Sequence, residues 1–165
     1  MIGGDKKVFE QIKPLFRDLA VAGGYSYMGK SGAGHFVKMV HNGIEYGMMQ
    51  SLAEGFALMK KSRFKLDLKK TAEVYNHGSV IESRLVGWLK KAFEEYGEDL
   101  KDISGSVAHT GEGEWTVRTA KKLGLPAQVI KDAFDFRVKS PKNPSYTGKI
   151  LSALRHQFGG HSIKQ

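Results

Sequence analysis

Hydrophobic residues recur at helical spacing through most of this chain. The first run predicts an amphipathic helix over residues 6–20. Its apolar positions are Val8, Phe9, Ile12, Leu15, Phe16 and Leu19. Residues 23–30 are rich in glycine and aromatic side chains and predict a short strand with a loop. A longer periodicity covers residues 32–61 without a proline. One continuous helix there would be longer than about 40 Å, which is typical of a central helix that runs through an oligomer.

Five shorter periodic segments follow this central run. They predict helices over residues 67–76, 80–95, 115–123, 127–139 and 147–157. Three prolines separate the last predicted helices from one another: Pro126, Pro141 and Pro144. The predicted fold class is therefore all-α, with one long central helix, preceded by a short α/β segment in residues 1–30.

Composition narrows the possible functions. The 165 residues suffice for one good hydrophobic core, and the lack of cysteine excludes a disulfide framework and suits a reducing cytoplasm. No apolar run is long enough to span a bilayer, so we expect no membrane partner. The net charge of +9 favours anionic partners. Because the lysines and arginines are interleaved with acids and form no zinc-finger or RNA-binding motif, a sugar phosphate fits this charge better than nucleic acid.

One face of the predicted central helix carries an unusual set of polar groups. Lys38, His41, Asn42 and Glu45 stand at relative positions i, i+3, i+4 and i+7, and Tyr46 lies at the edge of the same face. An ordinary solvated face would hold interchangeable lysine and glutamate. This one offers an amine, an imidazole, a carboxamide, a carboxylate and a phenol. Each group alone is more often structural than catalytic, so the spacing indicates a functional face without naming its reaction.

The other side of the same helix is apolar, and we expect it to face a core. Its residues are Val37, Met39, Val40, Ile44 and Met48. Ser31, Gly32 and Gly34 stand where the helix begins. The glycines there lack a Cβ atom, which allows another backbone or a ligand to approach closely.

Several motifs of the chain resemble those of one enzyme family. Residues 32–50, GAGHFVKMVHNGIEYGMMQ, are similar to the signature helix of decarboxylating 6-phosphogluconate dehydrogenase. Within it, the spacing of Gly34, Lys38 and Asn42 is shared by the wider β-hydroxyacid dehydrogenase superfamily. The additions that point to the 6-phosphogluconate branch are His41, Glu45 and Tyr46. Further matches lie at residues 111–116, 136–137 and 154–161, and the Glu-Gly-x-Trp-Thr form resembles the short bacterial or archaeal type.

The resemblance implies an oxidative decarboxylation. This reaction needs a base for the hydroxyl proton, a cation that polarises the resulting ketone, and an acid that protonates the enediol left by carbon dioxide. By resemblance, Lys38 performs the first two tasks, which requires a neutral amine at the start, and Glu45 is the acid. His41 and Asn42 would bind substrate hydroxyls or the carboxylate. No metal is required in this scheme.

The same resemblance implies a phosphate site and an assembly. Tyr46, Arg137 and Arg155 would bind the phosphate of 6-phosphogluconate, for which a planar guanidinium is well suited. His161 corresponds to the tail histidine of the family, which reaches the substrate in the neighbouring subunit. We therefore expect a homodimer or higher homo-oligomer with shared active sites.

Residues 1–30 resemble only the last helix and strand of a Rossmann domain. They contain no G-x-G-x-x-G turn after a strand, the usual mark of a dinucleotide site. We expect residues 31–165 to be the all-α carboxy-terminal domain, and NADP or NAD to bind to an amino-terminal domain absent from this chain. The choice between the two coenzymes stays open, and the isolated chain is expected not to turn over.

The chain departs from the family pattern at two positions. Glu114 stands where long-type members carry a substrate-binding lysine, so we expect it to point away from the phosphate or to be offset by another cation. Thr116 is accordingly only a weak candidate ligand. Met48 replaces a common aspartate, which concerns packing around the helix more than chemistry.

Two other functions compete with this interpretation. A hydroxyisobutyrate-type β-hydroxyacid dehydrogenase oxidises without decarboxylation and shares Lys38 and Asn42, but it has no need of Glu45, Arg155 or His161 in these contexts. A non-enzymatic helical oligomerisation module would retain the helical interface. It would form a stable oligomer without affinity for sugar phosphates.

Overall fold

The computed structural model describes residues 1–164, within which two short strands and seven helices follow one another. The amino-terminal part contains β1 (Ile2–Gly3), α1 (Lys6–Leu19) and β2 (Tyr27–Gly29). The remaining helices are α2 (Ala33–Lys61), α3 (Leu68–Tyr75), α4 (Arg84–Tyr96), α5 (Glu112–Lys122), α6 (Gln128–Lys139) and α7 (Tyr146–Gly159). The prediction of a mostly helical fold with one long helix, preceded by a short α/β segment, is confirmed.

A small parallel sheet joins the amino-terminal segment to α2. Strand β1 pairs in parallel with β2, and α1 connects them. The sequence pattern does not predict β1, because two residues cannot show an alternating period. Asp5 begins α1 by accepting hydrogen bonds from two backbone N–H groups of its first turn. At the start of α2, a Cβ atom on Gly34 would lie 2.8 Å from Met1 O, so the close approach expected at this glycine is made by another backbone.

Helix α2 is the central element of the fold. Its 29 residues span about 43 Å at about 1.5 Å each, and α5, α6 and α7 all pack against it. The hydrophobic core surrounds its carboxy-terminal half. The core includes the fully buried Met49, Phe56, Leu89, Leu151 and Leu154. Neither α2 nor any other helix of residues 1–164 combines the length and apolar character needed to cross a bilayer.

Part of the apolar side of α2 is exposed, contrary to the prediction. Ile44 is 51% exposed and Met48 is 46% exposed, whereas Met49 and Ala53 are fully buried. Helices α5, α6 and α7 cover other parts of the circumference of α2. Val37, Val40, Ile44 and Met48 share a face as predicted, whereas Met39 lies against α5, 3.7 Å from the Thr119 hydroxyl. A hydrophobic period does not say whether the same chain supplies enough helices to cover that face.

Two helices begin more than one residue away from the predicted start. Helix α4 starts at Arg84 rather than at residue 80, because the Ser83 hydroxyl caps it by accepting a hydrogen bond from the Val86 N–H. Helix α5 starts at Glu112, before the predicted residue 115, because Gly111 adopts a left-handed φ of 96° at its amino-terminal cap. The earlier start places the whole Gly-Glu-Gly-Glu segment at the beginning of α5.

Candidate active site

The polar face of α2 forms a connected group of side chains. Lys38 Nζ donates a hydrogen bond to Asn42 Oδ1 at 2.6 Å. His41 Nδ1 lies 3.3 Å from Lys38 Nζ and 3.1 Å from the same Asn42 oxygen. Glu45 joins the group one turn further on, with its Oε2 4.0 Å from His41 Nδ1. The structure thus brings together these four sequence-predicted site residues, which we call the α2 polar cluster.

The α2 polar cluster is open to water on one side. Lys38 and His41 are exposed, whereas Asn42 and Glu45 are partly buried. Water stabilises an ammonium ion more than a neutral amine. A reaction that starts from a neutral lysine would therefore need a further surface to cover this face and exclude water.

A second group of predicted residues lies in the interior beside this face. Tyr46 is 6% exposed and supports the guanidinium of Arg137, whose Cζ lies 3.4 Å from the centre of the phenol ring. Arg137 is itself 2% exposed, and its Nη2 donates to the Met49 sulfur at 3.6 Å. Its Nε has no hydrogen-bond partner within residues 1–164. A buried cation with an unused N–H group is suited to binding an anion.

Arg155 of α7 and His161 of the following tail complete this group. Burial lowers the pKa of Arg137 to about 10, and the charge of Arg155 adds to the effect. Burial also lowers the pKa of Arg155. The pKa of His161 lies below its usual 6.5, first because of burial and then because of the two arginine charges. We call Tyr46, Arg137, Arg155 and His161 the arginine cluster.

The two guanidinium groups of this cluster have no carboxylate partner. Within residues 1–164, every ion pair joins other residues. Arg137 and Arg155 are nevertheless both buried. Two buried cations, one of which lowers the pKa of the other, create a positive interior site.

Two glycines that the sequence analysis did not single out, Gly43 of α2 and Gly113 of α5, allow α5 to pack against α2 and Tyr46. A Cβ atom on Gly113 would lie 2.4 Å from Tyr46 Cε2, and one on Gly43 would lie 2.5 Å from Thr116 Cγ2. The Thr116 hydroxyl lies 2.8 Å from Met39 O and holds α5 against α2. The absence of a Cβ atom at Gly43 and Gly113 thus allows α5 to pack closely against α2. Thr116 contributes to the packing of these two helices.

Two glutamates in the first turn of α5 have different surroundings. Glu114 forms an ion pair with Arg118 of the same helix, so its charge is offset by another cation, one of the two outcomes expected. Burial lowers the pKa values of Arg155 and His161, and the negative charge of Glu112 opposes this effect at both. Glu112 therefore belongs to the surroundings of the arginine cluster. Its only signal in the sequence was its position between two glycines of a motif.

The tail after α7 folds back on its own chain. His156 Nδ1 lies 2.8 Å from His161 O, and the Ser104 N–H donates to Ile163 O at 2.8 Å. A Cβ atom on Gly159 would come within 2.8 Å of the His161 ring, so glycine permits this tight return. His161 accordingly reaches the arginine cluster of its own chain. Its contact with a neighbouring subunit stays a prediction.

An apolar trough runs along the exposed side of α2, beside the α2 polar cluster. Its first part is a cavity of about 730 Å³ with His41 and Glu45 at its margin. A second cavity of about 520 Å³ continues it along α2 toward α6. The trough is lined mainly by Phe36, Ile44, Met48, Trp88, Val129 and Phe158. Contiguous exposed apolar side chains of this kind are typical of protein interfaces.

The turn from β1 into α1 does not fit a nicotinamide dinucleotide. It is one of two turns in the described residues where a strand leads into a helix, the other joining β2 to α2, and it ends at Asp5. The Asp5 carboxylate already accepts hydrogen bonds from the first-turn N–H groups of α1 at 2.8 and 3.0 Å. A pyrophosphate would need those groups and would be repelled by the carboxylate.

The sequence matches the family model of the 6-phosphogluconate dehydrogenase C-terminal domain over residues 34–148. This match starts in the first turn of α2 and ends early in α7. It therefore includes the α2 polar cluster, Tyr46 and Arg137. Arg155 and His161 lie beyond it.

Curated relatives from bacteria and archaea align with almost the whole chain. A Bacillus subtilis protein provisionally named a 6-phosphogluconate dehydrogenase is 47% identical over 165 residues, which are 100% of this chain and 55% of that protein. The NAD⁺-dependent, decarboxylating 6-phosphogluconate dehydrogenase of Haloferax volcanii is 38% identical over 164 residues, 99% of this chain and 55% of that protein. The decarboxylating enzyme of Escherichia coli is 35% identical over 173 aligned residues, 97% of this chain and 37% of that protein. The chain thus spans about half the length of the first two relatives.

Proposed function

The chain belongs to the 6-phosphogluconate dehydrogenase family, and we propose that it is the substrate-binding and catalytic-residue domain of an enzyme that oxidatively decarboxylates 6-phosphogluconate to ribulose 5-phosphate. The arginine cluster supports this proposal most, because it holds two buried guanidinium groups that form no ion pair with a carboxylate of residues 1–164. Glu45 and Tyr46 are consecutive residues of α2, so the arginine cluster adjoins the α2 polar cluster. A substrate with a phosphate at one end and a β-hydroxyacid at the other would contact both.

The arginine cluster has the donors that a phosphate requires. Arg137 offers its unused Nε, and Arg155 and His161 add further N–H groups to the same interior site. Buried charges are costly without a counterion, and a phosphate would supply one for both arginines. The bound anion would also favour the protonated form of the His161 imidazole, because it opposes the charges that now disfavour that form.

The α2 polar cluster has the groups that the proton transfers require. Lys38 would take the hydroxyl proton and then, as an ammonium, polarise the ketone. Asn42, bonded to Lys38 at 2.6 Å, would keep the amine in place and, with His41, bind the hydroxyl and carboxylate groups of the substrate. Glu45, the member of the α2 polar cluster that precedes Tyr46 in α2, would protonate the enediol. The coenzyme supplies the hydride acceptor and would be bound outside these residues.

We assign residues 1–30 to the end of a dinucleotide-binding domain and residues 31–165 to the all-α domain. A two-stranded parallel sheet with one helix is a small part of the larger parallel sheets that such domains contain. NAD or NADP would be the acceptor; the name of the Haloferax volcanii relative specifies NAD⁺ for that protein. We expect the chain to bind substrate but not to turn it over alone.

We also propose a homodimer or higher homo-oligomer that buries the apolar trough. In the trough, Ile44 is 51% exposed, Met48 46% and Val129 66%. A partner surface would bury these apolar side chains. His41 lies at its margin, so a partner there would also help to cover the α2 polar cluster. The tail with His161 would then serve its own arginine cluster or, as the family resemblance implies, that of the neighbouring subunit.

Isothermal titration of the purified chain tests the proposed substrate. We expect saturable binding of 6-phosphogluconate and much weaker binding of gluconate, which lacks the phosphate. Arg155→Met should weaken binding of 6-phosphogluconate about tenfold or more, because a charge-assisted contact is lost. Arg118→Met is the matched control, since Arg118 is 71% exposed and pairs with Glu114 instead.

Three results would count against the proposal. Equal weakening by both arginine variants would mean nonspecific capture of anions by a basic protein. Equal affinity for gluconate and 6-phosphogluconate would contradict the phosphate role of the arginine cluster. Absence of binding by a folded, oligomeric chain would favour the helical oligomerisation module.

A further inference from the structure

An acidic cavity lies between α2 and α6, at the end of the apolar trough. Its volume is about 550 Å³, and three residues line both this cavity and the second cavity of the trough. The part called here the acidic notch consists of Gln50, Glu54, Asp132 and Asp135. Its three carboxylates are accompanied in the lining by one ammonium group, that of Lys139. Lys131 also forms an ion pair with Asp135 from outside the lining, so the three carboxylates outnumber the two nearby ammonium groups by one in a chain with a net charge of +9.

Gln50 is the most buried polar side chain of the notch. It is 7% exposed, and its Nε2 donates a hydrogen bond to Glu54 Oε1 at 2.7 Å. Its Oε1 has no partner within residues 1–164. Rotating the amide by half a turn would place this oxygen against the Glu54 carboxylate, so Glu54 determines the orientation. The buried carbonyl oxygen of Gln50 therefore lacks a hydrogen-bond donor, and residues 1–164 do not supply one.

The aspartates of the notch retain acceptor capacity. Asp132 Oδ1 accepts a hydrogen bond from Gln128 Nε2 at 2.7 Å, and Asp135 Oδ2 accepts one from Lys131 Nζ at 2.5 Å. Both donors belong to α6 itself. An ionised carboxylate can accept about four hydrogen bonds, so these contacts use only part of the capacity. A donor entering the notch would meet one neutral and several charged acceptors.

A side-chain cation fits these acceptors better than a metal ion. In the part of the chain that the structure describes, no three acid, imidazole or thiol groups are placed to hold a metal together. A guanidinium has five N–H donors in a planar fork and can bond to a carbonyl and a carboxylate at the same time. Val129 and Phe136 also line the cavity and would contact the aliphatic stem of such a side chain.

We propose that the acidic notch receives an arginine or lysine side chain from a second copy of this chain when the apolar trough is buried. The inference rests on the oligomeric part of the proposed function and adds the polar contact that determines how the copies align. A second copy is a suitable source, because the chain has 26 lysines and arginines against 17 acids. The continuity of the notch with the trough means that a partner covering one would reach the other. A charged pair at the end of an apolar interface fixes register and excludes wrong alignments.

Sedimentation equilibrium of the purified chain, which gives the dissociation constant of the oligomer, tests the proposal. Gln50→Met keeps the length of the side chain but removes the free carbonyl. The double variant Glu54→Gln, Asp132→Asn removes two of the three negative charges. Each should raise the dissociation constant about tenfold or more at low salt, and the effect of the double variant should shrink as salt is added. Asp18→Asn is the control, because the Asp18 side chain is 67% exposed and pairs with Arg17 of α1.

The outcomes separate this inference from the proposed function. A dimer or larger oligomer whose dissociation constant changes less than twofold in both notch variants would overturn the inference and leave the proposed oligomer intact. A wild-type chain that stays monomeric would overturn both. Circular dichroism of each variant checks folding, and if Gln50→Met does not fold, the double variant decides the matter alone.

Discussion

Gly113 is the position at which one added methyl group should damage the arginine cluster. In Gly113→Ala, the new carbon would lie 2.4 Å from Tyr46 Cε2 and 2.7 Å from Cδ2, far inside the usual contact distance of about 3.5–4.0 Å. The ring has little room to turn aside, because Tyr46 is 6% exposed and its centre lies 3.4 Å from the Arg137 guanidinium carbon. Either α5 or the Tyr46–Arg137 pair must move.

Two opposing effects determine the change in the free energy of unfolding. Overpacking of this kind costs about 1–3 kcal/mol, and replacing a helical glycine with alanine contributes at most about 1 kcal/mol in favour of folding. We therefore expect Gly113→Ala to be less stable than the wild type by about 0–3 kcal/mol. Gly55→Ala is the matched control, since its Cβ would meet no atom within 4 Å. That variant should become more stable by up to about 1 kcal/mol.

Thermal unfolding of the two variants measures the difference. They should differ by about 1–3 kcal/mol, or by about 2–12 °C in Tm for a chain of this size. Titration with 6-phosphogluconate should show binding weakened about tenfold in Gly113→Ala and unchanged in Gly55→Ala, because only the first displaces Tyr46. Equal Tm values would refute the close packing of α5 on Tyr46. Lower stability with unchanged binding would refute the part of Tyr46 and Arg137 in the substrate site.

Three further predictions concern the surroundings of the same site. Glu112→Gln should strengthen phosphate binding several-fold, because it removes the negative charge that acts on the arginine cluster, whereas Glu114→Gln should leave titration curves unchanged. Burial and then two arginine charges hold the pKa of His161 below 6.5 in the folded chain. The neutral form of His161 therefore contributes fully to the free energy of unfolding above about pH 6.5. This contribution is lost as pH falls through the folded-state pKa. Urea unfolding from pH 8 to pH 5 should therefore show a smaller acid loss in His161→Gln than in the wild type, and parallel curves would contradict this. Thr116→Val should lower the free energy of unfolding by about 1–2 kcal/mol through loss of the bond to Met39 O, and an unchanged denaturation midpoint would exclude that bond.

The helices were predictable from the sequence because each has a long apolar period. Helix α6 begins at Gln128 and ends at Lys139, within one residue of the prediction at each end, and Pro126 marks its start. The exposed side of α2 was not predictable, because Ile44 and Met48 have the same spacing as residues that face a core. Exposure depends on how many helices surround α2, which is a property of the tertiary fold.

The α2 polar cluster could be predicted from residue spacing, whereas the arginine cluster could not. Lys38 and Asn42 lie on one helix, so their spacing alone places them together, and they are bonded at 2.6 Å. Arg137 and Arg155 belong to α6 and α7, and no local pattern relates residues of different helices. Only the resemblance to a family grouped them. Glu112 was missed because its effect on the cluster depends on the packing of α5.

The two clusters should also respond to different experiments. Arg137 and Arg155 are buried, and the Tyr46 ring contacts Arg137 without any ligand. Under the proposed function, binding of the phosphate there would position the rest of the substrate against α2. The α2 polar cluster is exposed at Lys38, and the proposed reaction there would need a partner surface to exclude water. Arg155→Met should therefore impair binding in the isolated chain. Lys38→Met should leave that binding within about threefold and should abolish turnover only in a protein that also carries the coenzyme.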